Sequence, residues 1–115
     1  MEIAINKEMT VRQLTKVFNE VYPFLKLEVY CRGEEVSSDS FHSLEMISSM
    51  KNPQNFIITS SMTVSEVENE FWESMGLQVA IFRKMGSSWL RTAFTNRWTL
   101  ERQNHIGESM YVTLA

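Results

Sequence analysis

Five basic side chains in the last third of the chain are interleaved with aromatic ones. Arg83, Lys84, Arg91, Arg97 and Arg102 alternate with Phe82, Trp89, Phe94 and Trp98. Across residues 77–107 these five bases meet one acid, Glu101, leaving a formal charge of +4. Cations beside aromatic rings are one way proteins grip single-stranded nucleic acid: charge follows the backbone and rings stack on bases. The same residue types on a hairpin also keep foreign strands from pairing with a sheet edge. The whole chain carries a net charge of −3, which gives little long-range attraction for nucleic acid. The edge-shielding role therefore weighs more. If this stretch does bind a partner, the surface is built from Arg83, Lys84, Trp89 and Arg91, with Tyr30 and Phe82 beside them.

The other reactive residue types form no catalytic pattern. Cys31 and His42 stand eleven residues apart and would sit on a strand and a loop, which is no nucleophile–base motif. His42 and His105 lack metal-ligand spacing. Glu66, Glu68, Glu70 and Glu73 crowd residues 62–76 without a base among them. Acid–base work would require them to converge in a cleft, whereas their spacing gives a solvated helix face. Asp39 is the single aspartate and reads as a turn residue in a serine-rich stretch. There is no phosphate-binding loop, dinucleotide fingerprint, nucleophile elbow or His-Glu-x-x-His. No catalytic residue, cofactor or metal is assigned, and enzyme activity is not expected.

These side chains must be held by a chain that says nearly the same thing twice. Met9-Thr10-Val11 opens one helix and Met62-Thr63-Val64 another. In each, the threonine is an N-cap. Gln13 or Glu66 three residues later completes a capping box, and Met9 with Leu14, or Met62 with Val67, forms a hydrophobic staple. Behind the caps, Val11, Leu14, Val17, Phe18, Val21 and Tyr22 share one helical face, as do Val64, Val67, Phe71, Trp72 and Met75. Pro23 ends the first helix, and Gly76 ends the second as a left-handed cap.

A short strand precedes each helix, at residues 2–6 and 56–59. An alternating strand follows each: Leu25, Leu27, Val29 and Cys31 against Lys26, Glu28 and Tyr30, then Leu77, Val79 and Ile81 against Gln78, Ala80 and Phe82. The spacing predicts repeat units at about 2–31 and 56–83. A connector at 32–54 contains a short helix near Ser43–Ser49. A hairpin loop at 84–88, a return strand Trp89–Phe94 and a short helix Leu100–His105 near Gly107 complete one domain, 1–115. A duplicated β-α-β unit predicts an α+β fold, a ferredoxin-like sandwich with an added C-terminal hairpin strand and helix. Tyr30, Ala80 and Phe82 would line the second sheet face, which is apolar enough to require a cover: a helix or a second subunit.

The later segments carry a resemblance. Gly76-Leu77-Gln78-Val79, Phe82-Arg83-Lys84, Gly86 with Trp89, and Trp98-Thr99-Leu100-Glu101 with Gln103-Asn104 resemble small uncharacterised proteins of the Bacteroidetes. In these a Met-Thr-Val helix start precedes a Phe-Arg-Lys hairpin and a Trp-Thr-Leu-Glu segment. The resemblance is strongest from about Met62 to Asn104 and implies a bacterial protein with no assigned activity.

The single Cys31 cannot close an internal disulfide and suits a reducing cytoplasm. No apolar run approaches the roughly 18 residues of a membrane span. The start Met1-Glu2-Ile3 has no basic flank or apolar leader. The sequence thus predicts a cytoplasmic, non-enzymatic interaction module that associates with itself as a homodimer, or with another protein. The second reading is a single-stranded nucleic-acid-binding domain using the basic hairpin. The third is a small-molecule pocket beneath residues 32–54. No membrane partner is expected.

Overall fold

In a computed structural model, which describes residues 1–114 and the side chains of 1–111, both capping boxes form as the spacing requires. The Thr10 hydroxyl accepts from the Gln13 N–H and the Gln13 side chain accepts from the Thr10 N–H; Thr63 and Glu66 do the same. Met9 and Met62 pack against the core beside these caps. Helix ends also follow the sequence. The first long helix stops at Val21 before Pro23, and Gly76 closes the second at φ 61°, ψ 31°.

The elements are β1 (Glu2–Ile5), α1 (Val11–Val21), β2 (Leu25–Cys31), β3 (Glu34–Val36), α2 (Leu44–Ile47), β4 (Phe56–Thr59), α3 (Val64–Met75), β5 (Gln78–Met85), β6 (Ser88–Arg91), a 3-10 turn (Ala93–Thr95) and α4 (Leu100–Leu114). The chain is an α+β protein, but its strands divide between two sheets. β1 pairs antiparallel with β4, and a separate antiparallel sheet runs β3-β2-β5-β6. A ferredoxin-like sandwich would place these strands in one sheet. Alternation fixes which face of a strand is buried, not which strand lies beside it. Here Ile3 and Ile5 meet Ile58 and Phe56 across β1–β4, while Leu25, Leu27 and Val29 lie opposite Arg83, Ile81 and Val79 across β2–β5. Phe18, Phe71, Leu14, Val67, Leu44 and Leu100 fill the space between the sheets and helices, whereas Trp72, expected on the apolar face of α3, is 58% exposed.

The connector is more ordered than its composition suggests. Arg32 and Gly33, at φ 53° and 83°, make a two-residue turn that pairs Cys31 with Glu34 and creates β3. Positive φ at both central residues matches the twist of a tight hairpin. Arg-Gly lacks the Asn-Gly signature, so the strand goes unread in sequence. With β3 and α2 included, the order β-α-β-β-α occurs twice. The contacts match as well: Leu44 N–H donates to Met9 O at 2.8 Å and Leu100 N–H to Met62 O at 2.9 Å, while Val11 and Val64 donate to His42 O and Trp98 O at 3.0 and 3.1 Å.

Two C-terminal boundaries differ from the expectation. β6 ends at Arg91 rather than Phe94, because Thr92 turns inward and its hydroxyl donates to Ile81 O at 2.7 Å. Phe94 then stands fully exposed on the 3-10 turn. α4 begins at Leu100, with the Thr99 hydroxyl accepting from Arg102 N–H, but runs through Gly107 to Leu114. That glycine is a close-approach point: an added Cβ would lie 2.9 Å from Phe24 Cβ.

The two caps differ in one titratable group. The Thr63 backbone and side chain hold the Glu66 carboxyl below its ordinary pKa, whereas Gln13 does not titrate. A lowered folded pKa stabilises above the unfolded value, and that stability is lost as pH falls through the folded one. Acidification below the carboxylate range is therefore expected to lower amide protection factors, taken relative to intrinsic exchange at each pH, in the first turn of α3 but not of α1. Equal acid sensitivity of the two turns would contradict the cap assignment.

Candidate functional site

The β3-β2-β5-β6 sheet turns one face to the core and the other outward. Strand pairing decides which residues share the outer face. Tyr30 lies opposite Glu35 and Gln78, Glu28 opposite Ala80, Lys26 opposite Phe82, Phe82 opposite Arg91, and Lys84 opposite Trp89. Five of the six residues singled out in sequence, Tyr30, Phe82, Lys84, Trp89 and Arg91, are thus brought together. Arg83 is not among them. Period two sends it to the core face with Val79 and Ile81, where it is only 6% exposed and its Nη1 donates to Gln103 Oε1 at 2.8 Å. No strand can present both Arg83 and Lys84 on one surface.

The outer face covers its own rings. The Lys26 ammonium lies 5.1 Å from the Phe82 centroid and 5.3 Å from that of Trp89. Lys84 lies 4.9 Å from the same indole. Their aliphatic stems shield apolar surface while the charges stay wet. Ala80 is fully buried beneath its neighbours. Lys26 and Lys84 thus give this face a partial cover of its own, while Tyr30, Phe82 and Trp89 stay partly exposed. Lys26 also pairs with Glu28 at 3.2 Å, and Tyr30 OH donates to Glu28 Oε1 at 2.9 Å. Burial first, then the Glu28 carboxylate, pushes the Tyr30 hydroxyl above its ordinary pKa, keeping it a donor.

Charge on this face is divided by position. Lys26, Lys84 and Arg91 gather at the end holding Phe82 and Trp89, while Glu28 and Glu35 stand with Tyr30 toward the other. Among the described residues Lys26–Glu28 is the one ion pair within 4.0 Å, so Lys84, Arg91 and Glu35 have no charged partner at that distance. The signal for Lys26 and Glu28 lies in the β2 alternation, which puts them on the same face as Tyr30, rather than in the basic C-terminal hairpin.

The remaining candidates stay apart. The Cys31 thiol donates to Ile47 O at 3.6 Å, and the exposed His42 ring meets the Ser40 hydroxyl. Glu66 is committed to its cap. Burial raises the pKa of Glu68, and Arg91 opposes that shift. Among the described residues no cluster of His, Cys, Asp or Glu could hold a metal, and no helix is long and apolar enough to cross a membrane. A groove of about 500 Å³ lies beside residues 46–49, lined in part by Tyr30, Arg32, Met46, Trp72 and Gln78. No family model, no curated protein and no solved structure matches the chain.

Proposed function

We propose that the chain is a non-enzymatic interaction module that associates with a second copy of itself through the outer face of the β3-β2-β5-β6 sheet. The observation that supports this is the charge division of that face. A two-fold axis in the plane of the face lays the basic end of one copy over the acidic end of the other, so Lys84 and Arg91 meet Glu35 and Glu28. A two-fold interface requires such self-complementarity. Tyr30, Phe82 and Trp89 supply the apolar and aromatic area that interfaces favour.

The same geometry weighs against single-stranded nucleic acid. Stacking needs open rings, and Trp89 already carries two ammonium groups. Two acids, Glu28 and Glu35, also stand on the face. The free thiol of Cys31 suits a cytoplasmic setting.

We further read the two β-α-β-β-α runs as a duplicated unit. Ala4 and Ile57 occupy matching places five residues before Met9 and Met62, and they pair with each other. Glu28 and Ala80 occupy matching places three after Leu25 and Leu77, and they too pair. Counterparts pair when two units are related by a two-fold axis.

Sedimentation equilibrium tests the association. A dimer that weakens as ionic strength rises past about 0.15 M is expected, because salt screens exposed charges beyond about 8 Å. A monomer at all concentrations in low salt would remove the reading.

A further inference from the structure

The two β-α-β-β-α runs match in their contacts but not in the length of their last helix. Counting from Leu25 and Leu77, Cys31 is the counterpart of Arg83. Counting from Leu44 and Leu100, Ile47 and Ser48 are the counterparts of Gln103 and Asn104. The contacts recur at these places. The Cys31 thiol donates to Ile47 O at 3.6 Å, where Arg83 Nη1 donates to Gln103 Oε1 at 2.8 Å. The Ser48 hydroxyl donates to Met75 O, and that of Ser49 to Gly76 O at 2.8 Å, at the end of α3. Just past the end of α1, Asn104 Oδ1 accepts from Phe24 N–H at 2.9 Å.

The units part at the next turn. α4 runs on from Asn104 to Leu114 and covers Phe24 and Arg83. An added Cβ at Gly107 would lie 2.9 Å from Phe24 Cβ and 3.1 Å from Arg83 Cγ, and the Tyr111 ring lies 5.8 Å from that of Phe24. In the first unit α2 stops at Ile47 after one turn. The chain then leaves toward α3, where Gln54 N–H donates to Ser74 O at 2.8 Å. The place beside Cys31, Gly76 and Leu77 stays open as the groove of about 500 Å³. Its walls are pinned: Ser48 and Ser49 tie the end of α2 to α3, and Cys31 ties β2 to α2. Two large apolar side chains line it with nothing over them, Met46 at 70% and Trp72 at 58% exposure. Its one charged lining residue, Arg32, is exposed and has no carboxylate within 4.0 Å among the described residues.

We propose that this groove docks an amphipathic helix of another protein, seated as the C-terminal turns of α4 are seated on the second unit. The same framework already holds a helix at the equivalent place, so the shape left by the short α2 is that of a helix. A second copy has none to give: α1 and α3 bury their apolar faces in the core, and α4 is seated on its own unit. Apolar side chains three or four residues apart on the incoming helix cover Trp72 and Met46, the way helices fill grooves. A carboxylate on its rim meets Arg32. Exposed aromatic and methionine side chains are residue types that interfaces concentrate. Tyr30 and Gln78 border both the groove and the self-association face, whereas Trp72 and Met46, on α3 and α2, lie off that sheet.

A displayed library of helical peptides, randomised along one face and selected on the whole chain, supplies the probe. Recovered peptides are expected to share apolar residues at i, i+4 and i+7 beside an acid, to shift the Trp72 Nε1–H signal saturably, and to show helical transferred NOEs when bound. Trp72→Ser and Met46→Ser, both exposed changes outside the core, are each expected to raise the Kd at least about tenfold, because aromatic anchors carry much of such binding. Arg32→Glu is expected to weaken the acidic peptides. Lys84→Glu, on the self-association face, is expected to leave the Kd unchanged, which separates this site from that one. No enriched peptide, a bound peptide that is extended, an unchanged Kd in Trp72→Ser, or a loss in Lys84→Glu as large as in Trp72→Ser would each overturn the docking site.

Discussion

Truncating Phe18 or Phe71 to alanine is expected to destabilise the fold by about 3–5 kcal/mol in either case. Both rings are completely buried. Phe18 lies 5.3 Å from Tyr22 at a tilt of 52°, and Phe71 meets Phe56 edge-on at 4.9 Å. Each sits on the inner stripe of its helix, with β1–β4 and the larger sheet packed around it, so neither cavity can collapse without moving two elements. Domains of this size are stable by only about 5–15 kcal/mol, so one such loss is a large share of the total. Phe94 provides the contrast. It is fully exposed, and Phe94→Ala is expected to change stability by no more than about 0.5 kcal/mol. Urea midpoints of the three variants check the claim. A cost at Phe94 comparable to that at Phe18 would mean the C-terminal turn is packed differently.

Gly107→Val is expected to cost at least about 2 kcal/mol, although glycine is a poor helix residue. Propensity alone argues the other way, since a glycine inside a helix gives up about 1 kcal/mol relative to alanine. Packing decides the sign. A Cβ at 107 would stand 2.9 Å from Phe24 Cβ, 3.1 Å from Phe24 O and 3.1 Å from Arg83 Cγ. Phe24 O also accepts from Lys84 N–H, and Phe24 N–H donates to Asn104 Oδ1, so this backbone is tied on both sides and cannot retreat. Valine brings a branched side chain into that contact, and α4 must lift from β5. Thermal or urea unfolding measures the loss. A variant as stable as the parent would show that α4 reseats freely and that Gly107 is not a close-approach residue.

The same glycine shows where sequence reading stops. Near the end of an amphipathic stretch, glycine reads as a stop, and only the position of Phe24 reveals it as a packing site. The caps were legible because their chemistry is local: Thr10 with Gln13 and Thr63 with Glu66 need no knowledge of the rest of the chain. Alternation in β2 and β5 was legible for the same reason, and it already implied that Arg83 and Lys84 point to opposite faces. The partner of each strand was not legible. Ile3 and Ile58 carry no mark of pairing with each other rather than with β2 or β5, and the division into two sheets follows from that choice. β3 escaped notice because two of its three residues are glutamate and its turn is Arg32-Gly33. The outer sheet face was half legible. Its residues could be listed, but the ammonium of Lys26 over Phe82 and Trp89 depends on the register between β2 and β5, which alternation leaves open.

The self-complementary face is the claim on which the functional reading rests, and a charge exchange tests it most directly. Sedimentation equilibrium at low salt compares the parent chain with Lys84→Glu, Glu35→Lys and the two changes together. Each single reversal is expected to weaken the dimer about tenfold, equivalent to about 1.4 kcal/mol, and the double change to restore it because the contacts between copies regain opposite signs. Single variants that associate as tightly as the parent, or a double variant no tighter than either single one, would contradict the assignment of this face as the interface.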